Sequence, residues 1–302
     1  MGKWGKKLFI AAGLVLAAAL GALVFFTRAP VLVVTDESFD ILYGKLRVWE
    51  SLIRTSLRLW RPVAAVRVAE NAGADMVAFA LEEVATGRER DTPVLVPYRY
   101  HAGAARYSAQ NSHAPVAVLE GRGARTETGS AASSGVLSIG TDSVSDLYRA
   151  GGAAAVLAGE GRVLFFHDRN LTEREREAFL QGLRDNSYGG EPVFLAPGSE
   201  YAALDDVSCA VLSAPAASFL DKYTDIPLIL FSWTDPAFTP SNVYIIFDDS
   251  PWALAAGAVK RIESGERSGG GSLPSRILFP RGRIAEAEVL RKLKECTNMA
   301  LP

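Results

Sequence analysis

The chain has 302 residues, 49% of them hydrophobic, with a formal net charge of −2, which suffices for one large domain or two ordinary ones. The charge is uneven: residues 1–29 carry Lys3, Lys6, Lys7 and Arg28 and no acid, leaving 28 basic against 34 acidic residues beyond them. A mildly acidic body lacks the basic stripe that nucleic-acid binding needs, and the two distant cysteines, Cys209 and Cys296, make neither a disulfide framework nor a metal site.

The first predicted element is Leu8–Phe26, 19 residues without a charge or a proline. At about 1.5 Å per residue it reaches roughly 28 Å, close to the ~30 Å hydrocarbon core of a bilayer. The preceding lysines keep the amino terminus in the cytoplasm and send the body across, into the periplasm. Two outcomes fit. The helix is retained as an anchor of the cytoplasmic membrane, or it is a signal segment cut near Ala17-Ala18-Ala19; the apolar run exceeds that of an ordinary signal peptide. Outside the cytoplasm the two cysteines have one bridge open to them; otherwise they read as buried thiols.

From Val31 onward short β-rich runs alternate with helical patterns. Val31–Thr35 reads as a strand buried on both faces. Residues 40–60 carry Leu42, Leu46, Trp49, Ile53 and Trp60 at helical spacing. Strands follow at Val63–Val68, Pro93–Pro97, Val116–Leu119 and Val136–Ile139, with helices at Ala74–Ala85 and near Ala102–Gln110. Glu120–Ser134 reads as a loop rich in Gly, Ser and Thr. Asp146–Ala158 is an Ala/Gly-rich helix and Arg162–His167 a strand. Thr172-Glu173-Arg174-Glu175 is a capping box that opens a helix to Asn186. Val193–Leu195, Ala210–Leu212, Ile226–Phe231 and Val243–Phe247 read as strands, with a helix at Ala216–Tyr223. Ser250-Pro251 caps a helix to Glu263, with Pro251 at its first position. Ser264–Ser275 reads as a glycine-rich linker, Arg276–Phe279 as a strand and Ile284–Thr297 as an amphipathic helix. About eleven strands alternating with helices predict parallel sheets covered on both faces, in two doubly wound domains.

Three stretches carry a resemblance to a known family. Asp142–Gly159 with the strand after it looks like "Asp, then Gly-Gly-x-x-Ala, then Gly, then apolar strand". Glu173–Leu183 is similar to "Arg-x-x-Gly-Phe-x-x-Ala-Leu". Val243–Gly265 resembles "Val-x-Gln-x-Pro-x-x-Met-Gly-x-x-Ala-x-x-x-Leu-x-x-Gly", and the linker and the strand ending at Pro280 follow in the same order. Together they resemble type I periplasmic binding proteins, whose fold is shared by sugar receptors and the effector domains of lactose-repressor-like regulators. The likeness covers residues 31–283. The segment from Ser145 is also similar to the basic-membrane-protein branch, which includes nucleoside receptors.

The resemblance implies an α/β architecture of two doubly wound parallel-sheet lobes joined by a three-crossing hinge, preceded by the one N-terminal membrane helix. Residues 1–29 are the stub and anchor or signal segment. Lobe one takes 30–145 and 241–275; lobe two takes 146–240 and 276–302. Crossings near 145, 240 and 275 form the hinge, and closure of the lobes buries the ligand.

Ligands of such folds sit beyond the carboxyl ends of the strands. In lobe one these ends offer Asp36, Glu37, Ser38, Phe39, Glu70, Asn71, Tyr98, Arg99 and Tyr100. In lobe two they offer His167, Asp168, Arg169, Asn170, Trp233, Thr234 and Asp235; Asp248 and Asp249 follow the crossing strand. The ligand-binding residues expected are Asp36, Phe39, Asn71, Tyr98, Arg99, Arg169, Trp233, Asp235 and Asp249. Phe39, Tyr98, Tyr100 and Trp233 are aromatic faces for a pyranose; Asp, Asn and Arg fix hydroxyls. By resemblance, Asp235 stands where sugar receptors place a ligand-binding aspartate, and Asp249 where they place Gln. The same residues also read as ordinary helix caps and turn formers.

No phosphate-loop, dinucleotide, zinc-protease or serine-hydrolase motif is present, so neither an enzyme nor a cofactor is expected. The expected partners are a small polar solute (a sugar or nucleoside) and an ABC-type permease or other membrane partner. The rival reading is a ligand-independent interaction or sensory domain on a degenerate fold, with Ile284–Thr297 as its docking surface. A repressor is not expected, since a membrane segment stands where a DNA-binding helix pair would.

Overall fold

Strands form where apolar residues run without interruption, because a strand covered by helices on both faces meets no water. Val31–Val34, for example, have no exposed surface. The computed structural model describes residues 13, 15–16, 19–43, 45–86, 92–120, 135–167, 171–195, 206–213, 224–231, 241–248, 250–280 and 286–300. The strands are β1 Val31–Thr35, β2 Val63–Arg67, β3 Val94–Pro97, β4 Val116–Glu120, β5 Leu137–Thr141, β6 Arg162–Phe166, β7 Val193–Leu195, β8 Val207–Leu212, β9 Leu228–Phe231, β10 Val243–Asp248, β11 Gly269–Leu273 and β12 Arg276–Leu278. The helices after the N-terminal segment are α1 Glu37–Tyr43, α2 Lys45–Leu59, α3 Ala74–Ala85, α4 His101–Gln110, α5 Ser143–Ala158, α6 Glu173–Asp185, α7 Pro251–Glu263 and α8 Ala287–Asn298.

Among the described residues two six-stranded sheets result, in the orders β2-β1-β3-β4-β5-β11 and β7-β6-β8-β9-β10-β12. Each repeats the doubly wound order 2-1-3-4-5 and adds one edge strand. β11 joins β5 in parallel; β12 joins β10 antiparallel. In lobe one, Val48 and Leu52 of α2 and Trp252 and Val259 of α7 share a core with β1, β3 and β4. In lobe two, Leu147 of α5, Phe179 of α6 and Leu293 of α8 close over Phe165 and Phe247.

Four expectations are corrected. β10, assigned to lobe one with residues 241–275, is hydrogen-bonded to β9 and β12 of the second sheet. The chain therefore changes sheets after Asp248, not near 240. The glycine-rich linker contains β11, whose backbone pairs with β5 from Gly269 to Leu273. Gly269 has φ +101°, which favours glycine, and a Cβ on Gly271 would displace the Arg261 guanidinium. The stripe Leu46, Trp49, Ile53, Trp60 does not face the core. Those side chains are exposed, and α2 buries Val48, Ser51, Leu52, Thr55 and Leu59 instead; the side chain of Leu42 lies outside the described residues. Finally, Ser250 holds the N-cap position of α7 but makes no side-chain capping bond, because its hydroxyl donates to Asp248 at 2.6 Å.

Other local signals act as read. Pro251 occupies the first turn of α7. Thr172 and Glu175 form both halves of the capping box on α6. α8 packs on lobe two, burying Leu293, Cys296 and Thr297. Cys209 and Cys296 are free and buried; burial pushes the Cys296 thiol up to about 12 and Cys209 higher still.

The crossings between lobes are tied together by buried polar groups. The Asp142 N–H donates to Leu273 O at 2.8 Å. Asp146, in the first turn of α5, accepts from the Ser275 N–H at 2.9 Å and its hydroxyl at 2.5 Å. Arg149 donates to the same carboxylate and to Ser275 O at 3.2 Å. Asp248, at the end of β10, accepts from Arg276 at 2.5 Å. Segments 142–149, 248–250 and 273–276 thus form one hydrogen-bonded seam.

α5 and α6 meet backbone to backbone. A Cβ on Gly151 would strike Phe179 O, and one on Gly182 would strike Tyr148 O. No side-chain rotation relieves a collision with a carbonyl. Gly182→Ala is therefore expected to destabilise the protein by about 1–3 kcal/mol, read as a lowered midpoint of urea unfolding with an unchanged slope.

Among the described residues no helix is long and apolar enough to cross a membrane. The amino-terminal part of Leu8–Phe26 lies outside them, and its described residues from Gly13 onward are helical. That helix is held to lobe one. Phe25 meets Trp60 edge-on at 5.7 Å, Arg28 donates to Leu59 O at 3.2 Å, and Arg61 donates to Ala29 O at 2.8 Å.

Candidate functional site

In a 2-1-3-4-5 sheet the connections leave β1 and β3 toward opposite faces, which opens a crevice between their carboxyl ends. In lobe one that crevice is bordered by Asp36–Phe39 after β1 and Tyr98–Tyr100 after β3. The turn after β2 adds Glu70 and Asn71.

Asp36 anchors this end. Its side chain is fully buried. Oδ1 accepts from the Phe39 N–H at 3.1 Å and the Ser38 hydroxyl at 2.6 Å, so Asp36 caps α1. Oδ2 accepts from the Tyr100 hydroxyl and lies 3.6 Å from Arg99 Nη1. Burial pushes the carboxyl up, but the bonds from Ser38, Tyr100 and Phe39 and the Arg99 charge outweigh it, holding Asp36 below its ordinary range. Burial, and then the bond to Asp36, push the Tyr100 phenol up to about 12.

Arg99 is the pivot between loops. Nη1 donates to Ser38 Oγ at 2.5 Å, and Nη2 donates to Asn71 Oδ1 and lies 3.8 Å from Glu70 Oε1. Asn71 reaches it from a left-handed backbone, φ +59°, a conformation that Asn tolerates better than most residues. The Arg99 side chain keeps 36% of its surface exposed. The guanidinium carries five N–H donors in a rigid plane, so pinning one part by the two loops after β1 and β2 presents the rest at a fixed angle.

Of the expected residues, Asp36, Asn71 and Arg99 are thus brought into one network. Phe39 is in the core, edge-on to Trp252 at 5.4 Å. Tyr98 is half-buried and stacks on His101 at 4.9 Å. Tyr100, read as an aromatic face, turns its hydroxyl to Asp36 instead. Arg169, Trp233, Asp235 and Asp249 lie outside the described residues. Ser38 and Tyr100 are the members that sequence reasoning undervalued; their only signal was position beside β1 and β3. Two buried atoms near this end, Thr35 Oγ1 and Trp252 Nε1, have no hydrogen-bond partner among the described residues.

Three described cavities of about 360, 530 and 600 Å³ lie at the opposite, amino-terminal edges of the sheets, lined for example by Tyr107 and His113, by Arg61 and Glu263, and by Tyr188 and Ser208. They are wide open and share no residue with the Arg99 network. Among the described residues no group of three His, Cys, Asp or Glu side chains is placed to hold a metal.

No protein-family model matches the sequence, and no curated protein matches it. Solved structures do. A solute-binding protein of an ABC transporter system from Conexibacter woesei aligns at TM-score 0.61 and 11% identity, over 90% of this chain and 97% of its own. A transcriptional activator of the comK gene from Bacillus halodurans aligns at 0.59 and 12%, over 88% and 96%. A LacI transcriptional regulator from a Rhodococcus species aligns at 0.50 and 14%, over 82% and 96%. At such identities the likeness shows the fold, which is that of type I periplasmic binding proteins and LacI-type regulators.

Proposed function

We propose that this chain is an extracytoplasmic solute-binding protein, held at the cytoplasmic membrane by Leu8–Phe26 or released from it by cleavage. It takes a small polar ligand, a sugar or nucleoside, between its lobes and presents it to an ABC-type permease or another membrane partner. The observation that carries this is Arg99: a side chain 36% exposed, its guanidinium fixed at the switch point of the first sheet by Asp36, Ser38 and Asn71. A ligand oxygen accepts from its outward N–H groups, and the acids beside it favour a neutral ligand over an anion. Arg169, Trp233, Asp235 and Asp249 complete the opposite wall in this reading, and the crossings act as the hinge. No catalytic chemistry is assigned.

One observation favours a second reading, an interaction or sensory domain without a ligand. The Asp36 carboxylate is fully used internally and Phe39 is buried, so the first loop offers little to a solute. Thermal unfolding with sugars, nucleosides and amino acids separates the two. A ligand at 100 times its Kd adds about 2.7 kcal/mol, or roughly 5–10 °C for domains of this size. At least one compound is expected to shift the full-length protein and leave Arg99→Ala unshifted. No shift across the panel would favour the second reading.

A further inference from the structure

The most regular apolar stripe of the body faces away from its core. On α2 and the turn after it, Leu46, Trp49, Ile53, Leu57 and Trp60 are 86%, 51%, 54%, 59% and 46% exposed. At about 100° per residue they occupy an arc of roughly 80°, centred about 120° from the buried stripe of Val48, Leu52 and Leu59. A surface helix needs one apolar face for its core; a second one, exposed, marks a contact. Exposed Lys45 and Arg54 lie about 40° and 60° beyond the two edges of the stripe, and the one acid on this helix, Glu50, is paired with Arg54. Trp49 and Trp60 stand near its two ends, about 16 Å apart along the axis. Trp60 also touches Phe25 of the N-terminal helix, and Arg28 reaches Leu59 O. The stripe is therefore continuous with the apolar segment Leu8–Phe26.

We propose that α2 lies flat on an anionic lipid bilayer, with Trp49, Ile53 and Leu57 in the interface and Lys45 and Arg54 against the headgroups. Apolar area plus a cationic flank is the composition of an interfacial helix, and tryptophan is enriched at that depth. Because the chain turns back from α2 into β2, the sheet of lobe one then lies along the membrane. The Arg99 network opens sideways, parallel to the bilayer, where a membrane partner meets it. The proposal rests in part on Leu8–Phe26 being in the same membrane.

The test uses the full chain in nanodiscs, with single nitroxide labels on Ile53→Cys, Leu57→Cys, Leu23→Cys and Glu83→Cys. Cys209 and Cys296 are buried thiols with raised pKa. The ratio of oxygen to nickel-chelate collisions is expected to be severalfold higher at 53 and 57 than at 83 in anionic lipid, and to fall in neutral lipid. A high ratio at 23 with aqueous values at 53 and 57 overturns the proposal and leaves the anchor intact. Aqueous values at 23 as well overturn the membrane reading itself. Strong spin–spin coupling between labels at 57 in two copies overturns it in favour of a dimer. A ratio equal in both lipids overturns the role of the cations.

Discussion

Asp146→Ala is expected to cost about 3–5 kcal/mol of stability, the range for breaking a buried ion pair from one side. Asp146 is 1% exposed and Arg149 8%. The substitution strands the guanidinium and removes the acceptor of the Ser275 N–H and hydroxyl. Ser275 stands between β11 of the first sheet and β12 of the second, so the loss falls on the seam between lobes. Replacing both Asp146 by Leu and Arg149 by Met is expected to cost far less than Asp146→Ala, because no charge is then left buried alone. Urea unfolding of the single and double variants reads both numbers. A single-variant loss below about 1 kcal/mol would contradict the seam as described.

Asp36→Ala is expected to cost about 2–3 kcal/mol, since it removes the cap of α1 and leaves the buried Tyr100 hydroxyl only the long bond to Ala69 O at 3.4 Å. The pH dependence has a definite sign. The folded pKa of Asp36 lies below its ordinary 3.8. Its contribution is therefore present above about pH 4 and is lost as pH falls through the folded value. Tyr100 is shifted the other way, from 10.0 to about 12. Its contribution is complete below pH 10 and is lost as pH rises toward 12. The wild-type profile should thus bend at both ends, Asp36→Ala flattening the acid limb and Tyr100→Phe the alkaline limb. Denaturant midpoints across pH measure this; parallel profiles for all three proteins would contradict the network.

Local features were legible in the sequence and non-local ones were not. The limits of α3, the capping box of Thr172 and Glu175 and the Pro251 start of α7 depend on neighbours in sequence. β11 was missed because Gly-Gly-Gly-Ser has low strand propensity; its pairing comes from backbone bonds at the edge beside β5. β10 was given to the wrong lobe because sheet membership is decided by partners outside the segment. α2 was turned outside in because it carries two apolar stripes, and the more conspicuous one is exposed. The candidate site divides the same way. Asp36, Asn71 and Arg99 were found from their places after strands. That they bond to one another follows from β1 standing between β2 and β3, which no local pattern encodes.

Native mass spectrometry of the full-length protein, released from detergent after purification without added solute, tests the central claim most directly. The account predicts a noncovalent adduct with the mass of a sugar or nucleoside on the wild type, absent from an Arg99→Ala protein of unchanged circular dichroism. A bare mass for both proteins, persisting after incubation with the sugar and nucleoside panel, would contradict it.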